Sequence, residues 1–135
     1  MKKKLFLFFV TLVTVALTAS AYFNLACDFS GKVGTYPVEG SIELGNAGEI
    51  WGSYGYKKNG NKPKSWLSLE GEWESSSSSS KFRLRMTESS NGKNTGTWNV
   101  VYDSSKRTIT GTMKTNGKTY KVNITTSRAS TYSGM

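Results

Sequence analysis

Histidine is absent from this chain of 135 residues, and cysteine occurs once. The first absence removes the commonest general base and metal ligand. The second rules out an internal disulfide, so an oxidising compartment would add no staple. One thiol without an imidazole makes neither a thiol-protease site nor a zinc cluster. Helical periodicity is missing beyond the N-terminal segment. Carboxylates are scarce, nine against eighteen Lys and Arg, and only Glu70, Glu72 and Glu74 lie close together. A glycosidase holds two carboxylates across a scissile bond inside a cleft, whereas residues two apart on a strand point the same way, here outward. Asp28, Glu39, Glu43, Glu49, Glu88 and Asp103 are scattered. The sequence therefore predicts a protein without catalysis, cofactor or metal.

Residues 1–21 read as an export signal. Lys2, Lys3 and Lys4 form a positive start, Leu5 to Leu17 an apolar run, and Ala19-Ser20-Ala21 a small-residue cleavage site. An uncleaved anchor is the alternative, but the run is short of the roughly 20 residues a span needs. The expected location is exported, periplasmic or extracellular. Leu25-Ala26-Cys27 partly matches a lipoprotein box, which makes lipidation of Cys27 a minority alternative. Asn24 stands where a large aliphatic residue belongs, and a small buried thiol opening the first strand is the competing reading. Cleavage takes Lys2, Lys3 and Lys4 from a formal charge of +9 and leaves +6. The lysines look spread along strands and loops, a solvated surface or a weak attraction to anionic glycans or lipid head groups. Nucleic acid is not an expected partner, because no recognition motif is present. The domain plan is a signal at 1–21, one β-barrel domain at 22–126 and a frayed polar tail at 127–135.

Trp66 to Met86 states the folding rule. Leu67, Leu69, Gly71 and Trp73 fall on one face of an extended chain, and Glu70, Glu72 and Glu74 on the other. After Ser75 to Ser80, a flexible tip, Phe82, Leu84 and Met86 alternate with Lys81, Arg83 and Arg85. Period-two alternation means half-buried strands. A hairpin across the serines sets Glu74 against Lys81, Glu72 against Arg83 and Glu70 against Arg85. It also sets Trp73 against Phe82, Gly71 against Leu84 and Leu69 against Met86.

The remaining chain repeats the pattern, giving eight strands in all. The first covers about Cys27 to Val33, and the second, Tyr36 to Leu44, has Pro37 at its start. A turn at Gly45 to Gly48 leads to the third, Ile50 to Tyr56. Pairing Leu44 with Ile50 puts Ile42 against Gly52 and Gly40 against Tyr54, a large residue facing glycine twice, as a tightly curved sheet requires. A basic loop at Lys57 to Ser65 precedes the central hairpin. Ser90 to Asn94 turns into strand six, Thr95 to Tyr102, and strand seven starts at Thr108. Asn116-Gly117 suits a type I′ turn and sets Met113 against Tyr120, Gly111 against Val122 and Ile109 against Ile124. The fold class is all-β, an antiparallel up-and-down meander of about eight strands closed as a small barrel, since closure removes exposed edges.

Gly34-Thr-Tyr36-Pro-Val38, Gly52-Ser-Tyr54-Gly-Tyr56, Leu67-Ser-Leu69-Glu-Gly71, Phe82 to Glu88, Asn91 to Gly96 and Ile109-Thr-Gly111-Thr112 together resemble small exported bacterial β-meander proteins of largely unknown function. The likeness covers residues 31–125. Thr95 to Trp98 is also similar to streptavidin-like and lipocalin-like barrels, without the lipocalin Gly-x-Trp, so no binding residue is carried over. These resemblances imply an exported barrel that holds a ligand.

Aromatic residues are the candidate binding groups. Tyr36, Tyr54, Tyr56, Trp73, Trp98, Tyr102 and Tyr120 are expected inside, and Trp51 and Trp66 outside. An inner pocket lined by Tyr54, Tyr56, Trp98 and Tyr120 would take a small molecule; plain core packing is the other outcome. Trp51 and Trp66 with Lys57, Lys58, Lys62 and Lys64 would form an outer patch for a glycan or envelope protein. The expected function is an exported, non-catalytic binding protein. The alternative is a protein-interaction module, such as a hydrolase inhibitor or an envelope structural domain.

Overall fold

In the computed structural model, residues 23–76 and 80–133 are described; the expected signal at 1–21, Tyr22, the centre of the serine run and residues 134–135 lie outside them. Nine strands follow one another: β1 (Phe23–Val33), β2 (Tyr36–Gly45), β3 (Glu49–Tyr56), β4 (Leu67–Ser75), β5 (Lys81–Ser90), β6 (Lys93–Asp103), β7 (Thr108–Thr115), β8 (Lys118–Thr126) and β9 (Ser130–Ser133). Each strand from β1 to β8 pairs antiparallel with the next in sequence or, for closure, β8 with β1. The outcome is an eight-stranded up-and-down barrel. No helix among the described residues is long and apolar enough to cross a membrane.

Closure depends on β1, which is engaged along both edges. It pairs with β2 from Asn24–Gly45 to Val33–Tyr36. Along the other edge, Phe29 to Val33 pair with β8, and Phe23 to Ala26 pair with β9. The tail expected to fray thus carries a short strand that continues the line of β8. Its sequence gave no sign of this, because no apolar alternation marks Ser130 to Ser133.

Inward-facing residues fill the barrel. Val38, Ile42, Ile50, Tyr54, Leu69, Leu84, Val100, Tyr102, Ile109, Met113, Val122 and Ile124 are all buried. Gly40 explains how the wall curves around them. A Cβ there would stand 2.6 Å from Cβ of Tyr54 and 2.7 Å from Cζ of Phe29. The β2–β3 and β7–β8 registers follow the sequence pattern, with Gly40 opposite Tyr54 and Met113 opposite Tyr120.

The central hairpin differs by two residues from its expected register. Glu74 faces Arg83, Glu72 faces Arg85, Trp73 faces Leu84 and Gly71 faces Met86. A two-residue slip leaves the same side chains inside, so facial alternation alone cannot choose between the registers. A run of identical serines adds no turn preference. What holds the observed register is outside the hairpin: Trp73 donates from Nε1 to the Gly45 carbonyl at 2.7 Å, and Lys81 pairs with Asp103 on β6. Arg83 and Arg85 both reach Glu74 at 3.3 Å. These exposed contacts are worth only about 0–1 kcal/mol each. A second consequence is larger. The slip places Glu88, not Met86, opposite Leu69 on the inner face.

Candidate functional site

Alternate turns of a meander lie at the same end of the barrel. The turn at Gly34, the loop after β3, and the turns at Asn91-Gly92 and Asn116-Gly117 therefore share one end. Both Asn-Gly pairs hold positive φ at each residue, as type I′ turns need. The loop between β3 and β4 contains a third such pair, Asn59-Gly60, with a Lys58–Asn61 bridge across it. What looked like a plain basic loop is partly a tight hairpin tip.

Inside this end sits Glu88, 4% exposed. It accepts three hydrogen bonds: one from the Tyr54 hydroxyl, one from Trp98 Nε1 at 3.1 Å and one from the Thr95 hydroxyl at 2.8 Å. No lysine or arginine among the described residues lies within 4 Å of it; the ion pairs there are Lys57–Glu39, Arg83–Glu74 and Arg85–Glu74. A bulge supplies the third donor. Glu88 pairs with Gly96 and Ser89 with Asn94, so Thr95 is the extra residue of β6. Strict alternation would point Thr95 outward; the bulge turns its hydroxyl to the carboxylate.

Direction of donation follows from chemistry. A carboxylate only accepts, so the Tyr54 proton goes to Glu88. The Tyr54 oxygen, 3.2 Å from the Tyr56 hydroxyl, is left to accept from it. Burial, followed by these hydrogen bonds, raises Tyr54 far above the ordinary tyrosine value, and burial also raises Tyr56. Both are neutral phenols at physiological pH.

Of the four residues expected to line an inner pocket, the structure brings Tyr54, Tyr56 and Trp98 together. Ring centroids of Tyr54 lie 5.0 Å from Trp98 and 5.5 Å from Tyr56, both edge-on. Tyr54 and Trp98 are packed core. Tyr120 is half-buried at the same end, against the turn at Gly34. Tyr56 and Tyr36 instead emerge from the rim, 39% and 56% exposed, with their rings 6.1 Å apart. These two were expected inside; their strands place them on the inner parity, but at positions where the barrel has ended.

The expected outer patch divides. Trp51 and Trp66 are both exposed, at 41% and 50%. Trp51 sits on the wall opposite Glu70, whereas Trp66 stands at the tyrosine end, just before β4. Lys57 is held by Glu39 at 3.8 Å, and Lys58, Lys62 and Lys64 are exposed. Beside Trp66, an open hollow of about 620 Å³ on the outer wall is lined by Asp28, Ser30, Glu39, Ser41 and Ser53.

Charge is not scattered once the strands are placed. Lys32, Lys57, Lys58, Lys62, Lys64, Lys93, Lys114 and Lys118 all occupy turns or the outermost two strand residues at the tyrosine end. Only two carboxylates are near, Glu39 bound to Lys57 and Glu88 buried. Over the rest of residues 23–133, seven basic side chains face seven carboxylates. The whole net charge of the domain sits at one end. A strand of nine residues spans roughly 30 Å, about three to four Debye lengths at physiological salt, so the two ends act as separate electrostatic surfaces.

At the opposite end, Cys27 is buried in β1 beside Tyr102. Burial, only partly offset by the neighbouring Tyr102 hydroxyl, pushes its thiol up to about 11, and such a thiol is unreactive. No group of three or more potential metal ligands occurs among the described residues. No family model, curated protein or solved structure matches this chain.

Proposed function

We propose that this is an exported, non-catalytic binding protein whose working surface is the tyrosine and lysine end of the barrel, and that its ligand is anionic. The carrying observation is the segregation of charge: eight lysines and the exposed Tyr36, Tyr56 and Trp66 share one end, while the remainder is balanced. A solvated surface has no reason to concentrate one sign where loops also raise aromatic rings into water. A small molecule inside the barrel is disfavoured by Tyr54, Tyr102 and their neighbours, which fill the interior. Burial of Cys27 within a strand paired on both edges favours the unlipidated form.

Binding to polygalacturonate, a soluble acidic polysaccharide, tests the reading. The variant with Lys58, Lys62 and Lys64 changed to Glu should bind at least about tenfold more weakly, with steep salt dependence in the parent protein. A control with Lys81, Lys106 and Arg107 changed to Glu alters net charge equally at the other end and should bind within about twofold of the parent. Equal losses from both sets would show that net charge alone matters, and the reading would fall. One observation favours a second reading: the hydroxyl-lined hollow beside Trp66 suits a neutral sugar stacked on the indole. Retention on a neutral glucan, lost in Trp66→Ala, would favour it.

A further inference from the structure

We infer that the tyrosine and lysine end docks flat on an anionic lipid bilayer. This rests on the anionic reading above and goes further by naming the surface. Three features separate a bilayer from a defined anionic ligand.

The first is the choice of cation. All eight basic side chains at this end are lysines, whereas Arg83, Arg85, Arg107 and Arg128 lie elsewhere. Arginine supplies the planar fork that grips one carboxylate or phosphate in fixed geometry. Lysine is a mobile point charge on a long apolar stem, suited to a fluid field of head groups. The second is the aromatic set. Tyr36 and Tyr56 emerge at the rim and Trp66 stands exposed at the same end, bordering the side-wall hollow, each with an apolar ring and a polar tip, the residue types that favour the head-group level of a membrane. The third is placement. The hollow lies on the side wall and leaves the end itself to raised rings among cations. A protruding set of rings meets a surface that yields, and lysines around it meet the negative charge.

The relay beneath supports the rim. Glu88 accepts from Tyr54, and Tyr54 accepts from the Tyr56 hydroxyl, so Tyr56 is anchored at the rim through its hydroxyl by a chain of hydrogen bonds. The rim aromatics thereby stand on a rigid base, which lowers the ordering cost of docking.

The experiment is co-sedimentation of the signal-free protein with vesicles of phosphatidylcholine alone, or of equal parts phosphatidylcholine and phosphatidylglycerol. Polygalacturonate binding is measured alongside. Phosphatidylglycerol should strengthen vesicle binding by more than about tenfold, and bound protein should show Trp66 emission quenched by brominated lipid. The variant Tyr36→Ser with Trp66→Ser keeps every lysine and alters only exposed rings. It should lose vesicle binding by about tenfold while holding polygalacturonate within about twofold. Polygalacturonate binding without vesicle binding would overturn the bilayer inference and leave the anionic reading standing. Vesicle binding unchanged in the aromatic variant would overturn it too, reducing the effect to adsorption by charge. Binding to neither would remove both.

Discussion

Changing Tyr54 to Phe isolates the hydrogen bond on which the lysine end is built. The ring is fully buried and edge-on to Trp98, so the variant keeps its packing and loses one hydroxyl. That hydroxyl donates to Glu88 and accepts from Tyr56. Its removal leaves a buried carboxylate with two donors in place of three. A hydrogen bond to a charged partner contributes about 1.5–3 kcal/mol. With a domain of this size, about 4 °C of melting temperature accompanies each kcal/mol, so a fall of roughly 6–12 °C is expected. Urea unfolding with an unchanged m-value is the assay. A cycle with Glu88→Gln sharpens it, because the amide accepts from Tyr54 without a charge. There the same change should cost about 1 kcal/mol less. A loss under about 0.5 kcal/mol, or an equal loss in both backgrounds, would refute the account of Glu88 as a charge held by its donors.

Gly40→Ala would press a methyl group against Tyr54 and Phe29. Overpacking of this kind costs about 1–3 kcal/mol, and thermal unfolding should show it; an unchanged melting temperature would mean the wall can straighten there. Alkaline pH should destabilise the barrel. Burial raises Cys27 from 9.0 to about 11 and Tyr102 from 10.0 to about 12. The folded state favours the neutral forms, so their contribution is full below pH 9 and lost as pH rises through 11 and 12. For Cys27 the rise corresponds to about 3 kcal/mol, and Cys27→Ala should flatten urea midpoints between pH 9 and 11. Trp66→Ala should weaken vesicle binding while Trp51→Ala does not, with neither changing the melting temperature by more than a few degrees; binding lost only with Trp51 would move the working surface to the wall.

The parts of this fold legible in sequence were those where local chemistry admits one answer. Asn116-Gly117 admits one hairpin, and glycine opposite Tyr54 or Ile42 admits one pairing of β2 with β3. The serine run admits two registers of equal burial, and the choice depended on Gly45 and Asp103, far away in sequence. Glu88 was readable all the same. It continues the Phe82, Leu84, Met86 alternation, and a carboxylate on an inner parity asks for donors. Thr95 was not, because a bulge breaks the alternation from which facing is inferred. The lysines looked scattered in one dimension. Assigning alternate turns to one end of the meander gathers them from the sequence alone.

The strand that closes the barrel has a further consequence, for timing. Val33 joins Val122 across almost the whole domain, while every other neighbouring pair from β2 to β8 is a local hairpin. Entropy of ring closure rises with the length of chain enclosed, and contacts distant in sequence form slowly. A chain crossing a membrane from its N-terminus would present β1 first and β8 near the last, leaving two unpaired edges throughout passage. On such a passage the meander would be stitched as it arrives, and would become edgeless in one late step.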